Sequence, residues 1–144
     1  YLVRRLHQIH VAMFLDECAA FNITPVQYAV MTALLNRPGA DQVTIARDAG
    51  IDRTNVADVL ARLEQRGLVR RETSQQDRRM RIAVLTEEGL QVGRDMEHAS
   101  LAAQAKFMAP LPPEKRTQLM ELMTELVEAN NEFSRAPARK SKTS

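Results

Sequence analysis

The sequence predicts a mainly helical domain carrying one small β-hairpin, and three observations support that prediction. Apolar residues recur at steps of three and four through most of the chain, the period of a helix with one buried face. Between Gly67 and Thr86 the spacing drops to two, the period of a strand. Capping residues, prolines and glycines fall at the seams between these patterns, where helices start and stop. The 144 residues, 44% hydrophobic and 26% charged, have the balance of one globular domain with its own core.

The first 22 residues read as a helix, with Leu2, Leu6, Ile9 and Met13 on one stripe and Val3, His10 and Phe14 beside it. A second helix opens at "NITPVQYAVMTALL": Thr24 can cap it, Pro25 suits its first position and Gln27 completes a capping box. Pro38 and Gly39 end it. A short helix from Gln42 to Ala49 stops at Gly50, and Asp52 caps the next. Val56, Val59, Leu60 and Leu63 mark the buried face of that helix, and Gly67 terminates it. Two short helices around a tight, glycine-containing turn make a helix-turn-helix. "GLVRRET" and "RIAVLT" then form a hairpin whose polar tip is "SQQDRR".

Thr86 can cap a fifth helix, with Glu87 and Glu88 in the first turn, where the helix dipole favours acids. Running to Met108, it would span about 35 Å. "APLPPE" breaks it, and a last helix carries Leu119, Leu122, Met123, Leu126, Val127 and Phe133. The order is that of a winged helix-turn-helix between N- and C-terminal helices. The expected division is a single domain over 1–134, with the winged lobe at 24–86, flanking helices at 1–22 and 87–134, and a flexible basic tail at 135–144. That tail holds Arg135, Arg139, Lys140 and Lys142.

Composition narrows the function. No run approaches the roughly 18 apolar residues of a membrane span, and the start lacks a signal-peptide pattern, so a cytoplasmic protein is expected. Cys18 is the single cysteine, which fits a reducing compartment. Catalysis is not expected: no nucleophile–base arrangement stands in a recognisable context, and none of the five glycines forms a phosphate loop. Charge points elsewhere. Six arginines against two acids crowd residues 66 to 81, on and beside the hairpin.

At these residues the chain resembles the MarR family of bacterial transcriptional regulators. The match is carried by "ITPVQYAVMTAL", "IDRTNVADVLARLEQRGLVRR" and "DRRMRIAVLTEEG". The last has the family's wing signature, Asp-Arg-Arg before a strand, then Leu-Thr and a glycine three residues on. The resemblance implies a recognition helix in the major groove and a wing at the neighbouring minor groove. Arg78 and Arg79 at the wing tip would meet the negative potential of that groove, Arg79 entering it, with Asp77 orienting the wing arginines. On the recognition helix the outward set is Arg53, Thr54, Asn55, Asp58 and Arg62. Arg53 and Asn55 suit guanine and adenine edges, and Thr54 a phosphate or a thymine methyl group. Arg62 and Arg66 lie further along and suit phosphate. Asp58 would hold Arg62, four residues on, or accept from cytosine.

Surplus apolar surface on the first and last helices implies a partner, and the resemblance implies a two-fold dimer built from the first, fifth and sixth helices. A pseudo-palindromic operator follows. The family resemblance also implies a repressor, here of a catabolic or efflux operon, released when a small aromatic acid or phenol enters between the dimer helices and the DNA-binding lobe. Arg4, His7, His10 and Phe14 on the first helix are candidate ligand residues, with Arg5 beside them. Tyr28 and Met31 on the second helix and Met96 and Ser100 on the fifth are candidates for the other walls. Alternatives are a zinc switch using His7, His10, His98 and Glu17 or Glu97, and a thiol switch at Cys18. The zinc set lacks the spacing of a closed site. Peroxide-sensing relatives carry their cysteine nearer the start of the first helix. A third reading keeps the winged helix as a protein-interaction module. No cofactor is expected.

Overall fold

Helix α1 (Leu2–Glu17) opens the chain and packs along α5 (Glu87–Met108). It is shorter than the 22 residues expected. Ala19–Phe21 tighten into a 3-10 turn, and Asn22 adopts the left-handed region at φ 50°, which asparagine tolerates better than most residues. Helix α2 (Pro25–Asn36) then starts with the full capping box: the Gln27 amide donates to Thr24 Oγ1 at 3.2 Å, and the Thr24 amide to Gln27 Oε1 at 3.0 Å.

The computed structural model describes residues 1–134 and Ala136, so the basic cluster Arg135, Arg139, Lys140 and Lys142 lies outside the described residues. After α2, Gly39 at φ 77° turns the chain into a two-residue strand, β1 (Ala40–Asp41). Helix α3 (Gln42–Ala49) and helix α4 (Arg53–Gln65), the expected recognition helix, follow, with Gly50 between them. Strands β2 (Val69–Thr73) and β3 (Arg81–Leu85) form the wing. The sheet is antiparallel in the order β1-β3-β2, pairing Ala40 with Ala83 and Val69 with Leu85. The third strand was not foreseen, because two residues carry no readable period.

One core joins the lobe to the flanking helices. Phe14, Cys18, Ile23, Val30, Met31 and Leu34 meet Ile45, Val56, Leu60 and Leu63, then Leu68, Ala83, Leu85 and Met96. Helix α6 (Pro113–Ala129) stands apart, with no buried residue. Its Leu126 and Val127 are 64% and 68% exposed, and on α1 Leu2 is 72% exposed. The apolar faces of α1 and α6 are therefore not closed on this chain's own core. No helix among the described residues is long and apolar enough to cross a membrane.

Candidate DNA interface and ligand cleft

Asp52 Oδ1 accepts the Thr54 amide at 3.0 Å and starts α4. Because Val56, Leu60 and Leu63 are buried, the 3.6-residue period leaves Arg53, Thr54, Asn55, Asp58 and Arg62 exposed on the opposite face. Arg53, Thr54 and Asn55 form the first turn. Asp58 and Arg62 make no ion pair, so the expected intrahelical tie is absent among the described residues.

The wing tip is ordered by hydrogen bonds within the loop, most of them from backbone amides to the Ser74 and Asp77 side chains. Ser74 Oγ accepts the amides of Gln76 and Asp77 at 3.2 and 3.3 Å, and the Met80 carbonyl accepts the Ser74 amide at 2.9 Å. Asp77 Oδ1 accepts the Arg79 amide at 3.0 Å. Asp77 thus fixes the main chain at Arg79 and forms no ion pair with a wing guanidinium among the described residues. Arg78 and Arg79 are exposed and carry no acidic partner there.

Two other arginines of the basic run are bonded to groups of this chain, Arg71 part-buried and Arg66 at the surface. Arg71 Nε donates to Glu64 Oε2 at 2.9 Å and its amide to Glu64 Oε1 at 3.3 Å, tying β2 to the last turn of α4. That guanidinium pulls the Glu64 carboxyl below its ordinary value. Arg66 donates from Nη1 to the Asn22 carbonyl and from Nη2 to the Phe21 carbonyl, at 2.5 and 2.9 Å. Neither contact was legible, since each joins residues that only the tertiary fold brings together. Asp41, which caps α3 by accepting the Thr44 amide at 2.8 Å, is held below the usual carboxylate range by that bond and by nearby Arg47 and Arg53.

Between the lobe and the flanking helices lies an open cleft of about 1080 Å³. Of the candidate ligand residues, His10, Phe14, Tyr28 and Ser100 line it. Phe14 and Tyr28 stack tilted at 5.7 Å, and the His10 ring meets Phe107 edge-on at 5.4 Å. Met31 and Met96 do not line it: both are wholly buried, since the inward faces of α2 and α5 supply the core. Arg4 and His7 are exposed and lie outside its walls. Arginines enter the lining instead as Arg37 and Arg47, whose Nε atoms stand 2.7 and 3.5 Å from the carboxylate of Asp48, which lines the cleft too, as does Glu128. Sequence reasoning passed over both arginines because they sit in helix-ending contexts. Thr32 also lines the cleft, and its hydroxyl is buried without a hydrogen-bond partner.

The alternative switches are not assembled. No three His, Cys, Asp or Glu side chains gather as a metal site among the described residues, so His7, His10, His98, Glu17 and Glu97 stay dispersed. Cys18 is 1% exposed, and burial, followed by the Glu17 charge, pushes its thiol up. A raised thiol pKa opposes thiolate chemistry.

A family model described as MarR family matches residues 23–80. The chain is similar to the transcriptional regulator HosA of Escherichia coli O111:H-, 34% identical over 127 residues spanning 88% of this chain and 93% of that protein. It is similar to the solved structure of the PcaV transcriptional regulator from Streptomyces coelicolor in complex with its natural ligand. That identity is 34% and the TM-score 0.82, over 89% of this chain and 90% of that one. It is also similar to BpsR of Bordetella bronchiseptica, whose DNA binding is regulated by 6-hydroxynicotinic acid. There the identity is 26% and the TM-score 0.82, over 87% of this chain and 89% of the other.

Proposed function

The chain belongs to the MarR family of DNA-binding transcriptional regulators, and from that premise we propose that it acts as a cytoplasmic homodimeric repressor relieved by a small aromatic acid. The observation that carries the proposal is that Arg53, Thr54 and Asn55 on the first turn of α4 and Arg78 and Arg79 at the wing tip are all exposed. A fork of guanidinium donors matches guanine in the major groove, and a second arginine suits the narrow, electronegative minor groove. The regulated operon is catabolic or efflux in type, and its operator is pseudo-palindromic because two equal lobes read it.

The cleft supports an aromatic effector. Its aromatic wall of Phe14, Tyr28 and His10 suits a ring, and a ligand carboxylate would share Arg37 and Arg47 with Asp48, which already pairs with both. A ligand wedged between α1 and the lobe works only by binding the DNA-free arrangement more tightly than the DNA-bound one.

The test has two stages. A random duplex pool is enriched on the full-length protein to yield an operator, and benzoate-, hydroxycinnamate- and nicotinate-type acids are screened by thermal shift. A compound that stabilises the protein is expected to release the enriched duplex, and the Arg47→Gln variant is expected to lose the response. Stabilisation with unchanged DNA affinity for every hit rejects effector control.

A further inference from the structure

The last turn of α4 carries a tie that a phosphate-contacting arginine would not need. Arg66 caps the helix, and its two terminal nitrogens donate to the Phe21 and Asn22 carbonyls, 45 and 44 residues earlier. Those carbonyls belong to the joint between α1 and α2, where a 3-10 turn ends in left-handed Asn22. Helix ends leave carbonyls without intrahelical partners, and neither of these two accepts a backbone amide among the turn, loop and cap contacts. The planar arginine fork satisfies both at once, which an ammonium cannot match in geometry.

We propose that Arg66 is a positioning residue that fixes the pitch of the recognition helix against the joint leading to α1, rather than a phosphate contact. This rests on the reading of α4 as the DNA-reading helix. The second restraint on the same turn, Glu64 to Arg71, holds the wing; together they join wing, recognition helix and α1–α2 joint at one place. The leverage is large. A helix of 13 residues is about 20 Å long, and a tilt of about 5° moves one end by about 1.7 Å, enough to break a base hydrogen bond.

The experiment compares Arg66→Gln, Arg66→Lys and Arg79→Ala with the wild-type protein, binding the enriched duplex over a range of salt. Enrichment by the wild-type protein is the control that separates failure of the DNA-binding reading from failure of this inference. A strut predicts that Gln and Lys each weaken binding about tenfold, within the usual span of coupling effects, with the wild-type salt slope retained. Arg79→Ala should lower the slope by about one. Wild-type affinity for Arg66→Lys, with about one unit of slope lost in Arg66→Gln, makes Arg66 a phosphate contact and overturns the proposal. So does wild-type binding by both variants. Loss of the folded protein in both, followed by circular dichroism, also overturns it, because a tie needed only for folding positions nothing.

Discussion

Among the arginines of residues 66 to 81, geometry separates two kinds of work. Arg66 and Arg71 are spent on internal partners, whereas Arg78 and Arg79 have no acidic partner among the described residues and stand at the tip of the wing. Arg53→Ala is expected to cost about 1–3 kcal/mol of binding to the enriched duplex and to relax discrimination at one base pair. Arg79→Ala is expected to weaken binding and flatten its salt dependence. Fluorescence anisotropy on single-base variants of the duplex checks both, and wild-type affinity in both variants rejects the interface. A pH prediction follows from Glu64. Its carboxyl lies below the ordinary 4.5 because Arg71 bonds to the charged form. A lowered folded value means the ion pair stabilises the fold above the unfolded value and ceases to do so as the pH falls through the folded one. Wild-type protein should therefore exceed Glu64→Gln in urea midpoint at pH 7 and lose that lead as the pH falls below the ordinary carboxylate range. A constant difference across that range would remove the pair from the account.

Elements meet most tightly where the wing returns to α5. The Thr86 hydroxyl donates to the Gly67 carbonyl at 2.6 Å and accepts the Gly89 amide at 3.0 Å, while the Thr86 amide bonds the Leu68 carbonyl at 3.0 Å. A methyl group at Gly89 would stand 2.0 Å from the Leu68 oxygen. That gives the glycine three residues after the Leu-Thr of the wing signature a physical cause: backbone packs where Cβ would be. Gly89→Ala is expected to destabilise by about 2 kcal/mol or more, since a peptide group cannot step aside as a side chain can. Gly93 supplies the contrast. A methyl there meets only the tip of Leu35 at 3.0 Å, and the helix gain from alanine offsets that strain, so Gly93→Ala should stay within about 1 kcal/mol of wild type. Chemical denaturation separates the two, and equal effects would show the close approach to be unimportant. This junction also marks what sequence can and cannot tell. Thr24, Asp52, Gly67 and Thr86 announced their helix boundaries because caps act within four residues. Strand β1 and the tie from Arg66 depend on partners some forty residues along the chain, and the tie from Arg71 to Glu64 needs the chain to reverse between α4 and β2; local periodicity holds no record of them.

At the scale of the molecule, the exposed apolar face of α6 is the feature most at odds with a solitary chain. Leu122, Leu126 and Val127 on α6 are 51%, 64% and 68% exposed and Phe133, in the turn beyond it, 80%, and apolar exposure of this extent marks an interface. The surplus was legible as too many apolar stripes for one small core. Which residues wall the cleft was not, because Met31 and Met96 obey the same period whether they face core or ligand. If α6 pairs two copies, the lobes fold without it, since none of its residues is buried in its own chain. Leu122→Glu combined with Leu126→Glu should then yield a folded monomer, with the wild-type circular dichroism spectrum and half the mass by light scattering. DNA binding tests the geometry further. Each phosphate neutralised contributes about 0.9 to the slope of log affinity against log salt, so two lobes acting together give twice the slope of one. The monomeric variant should bind the enriched duplex weakly and with about half the wild-type slope. A variant that stays dimeric places the interface elsewhere, and a monomer that keeps full affinity and slope means that one lobe alone reads the duplex.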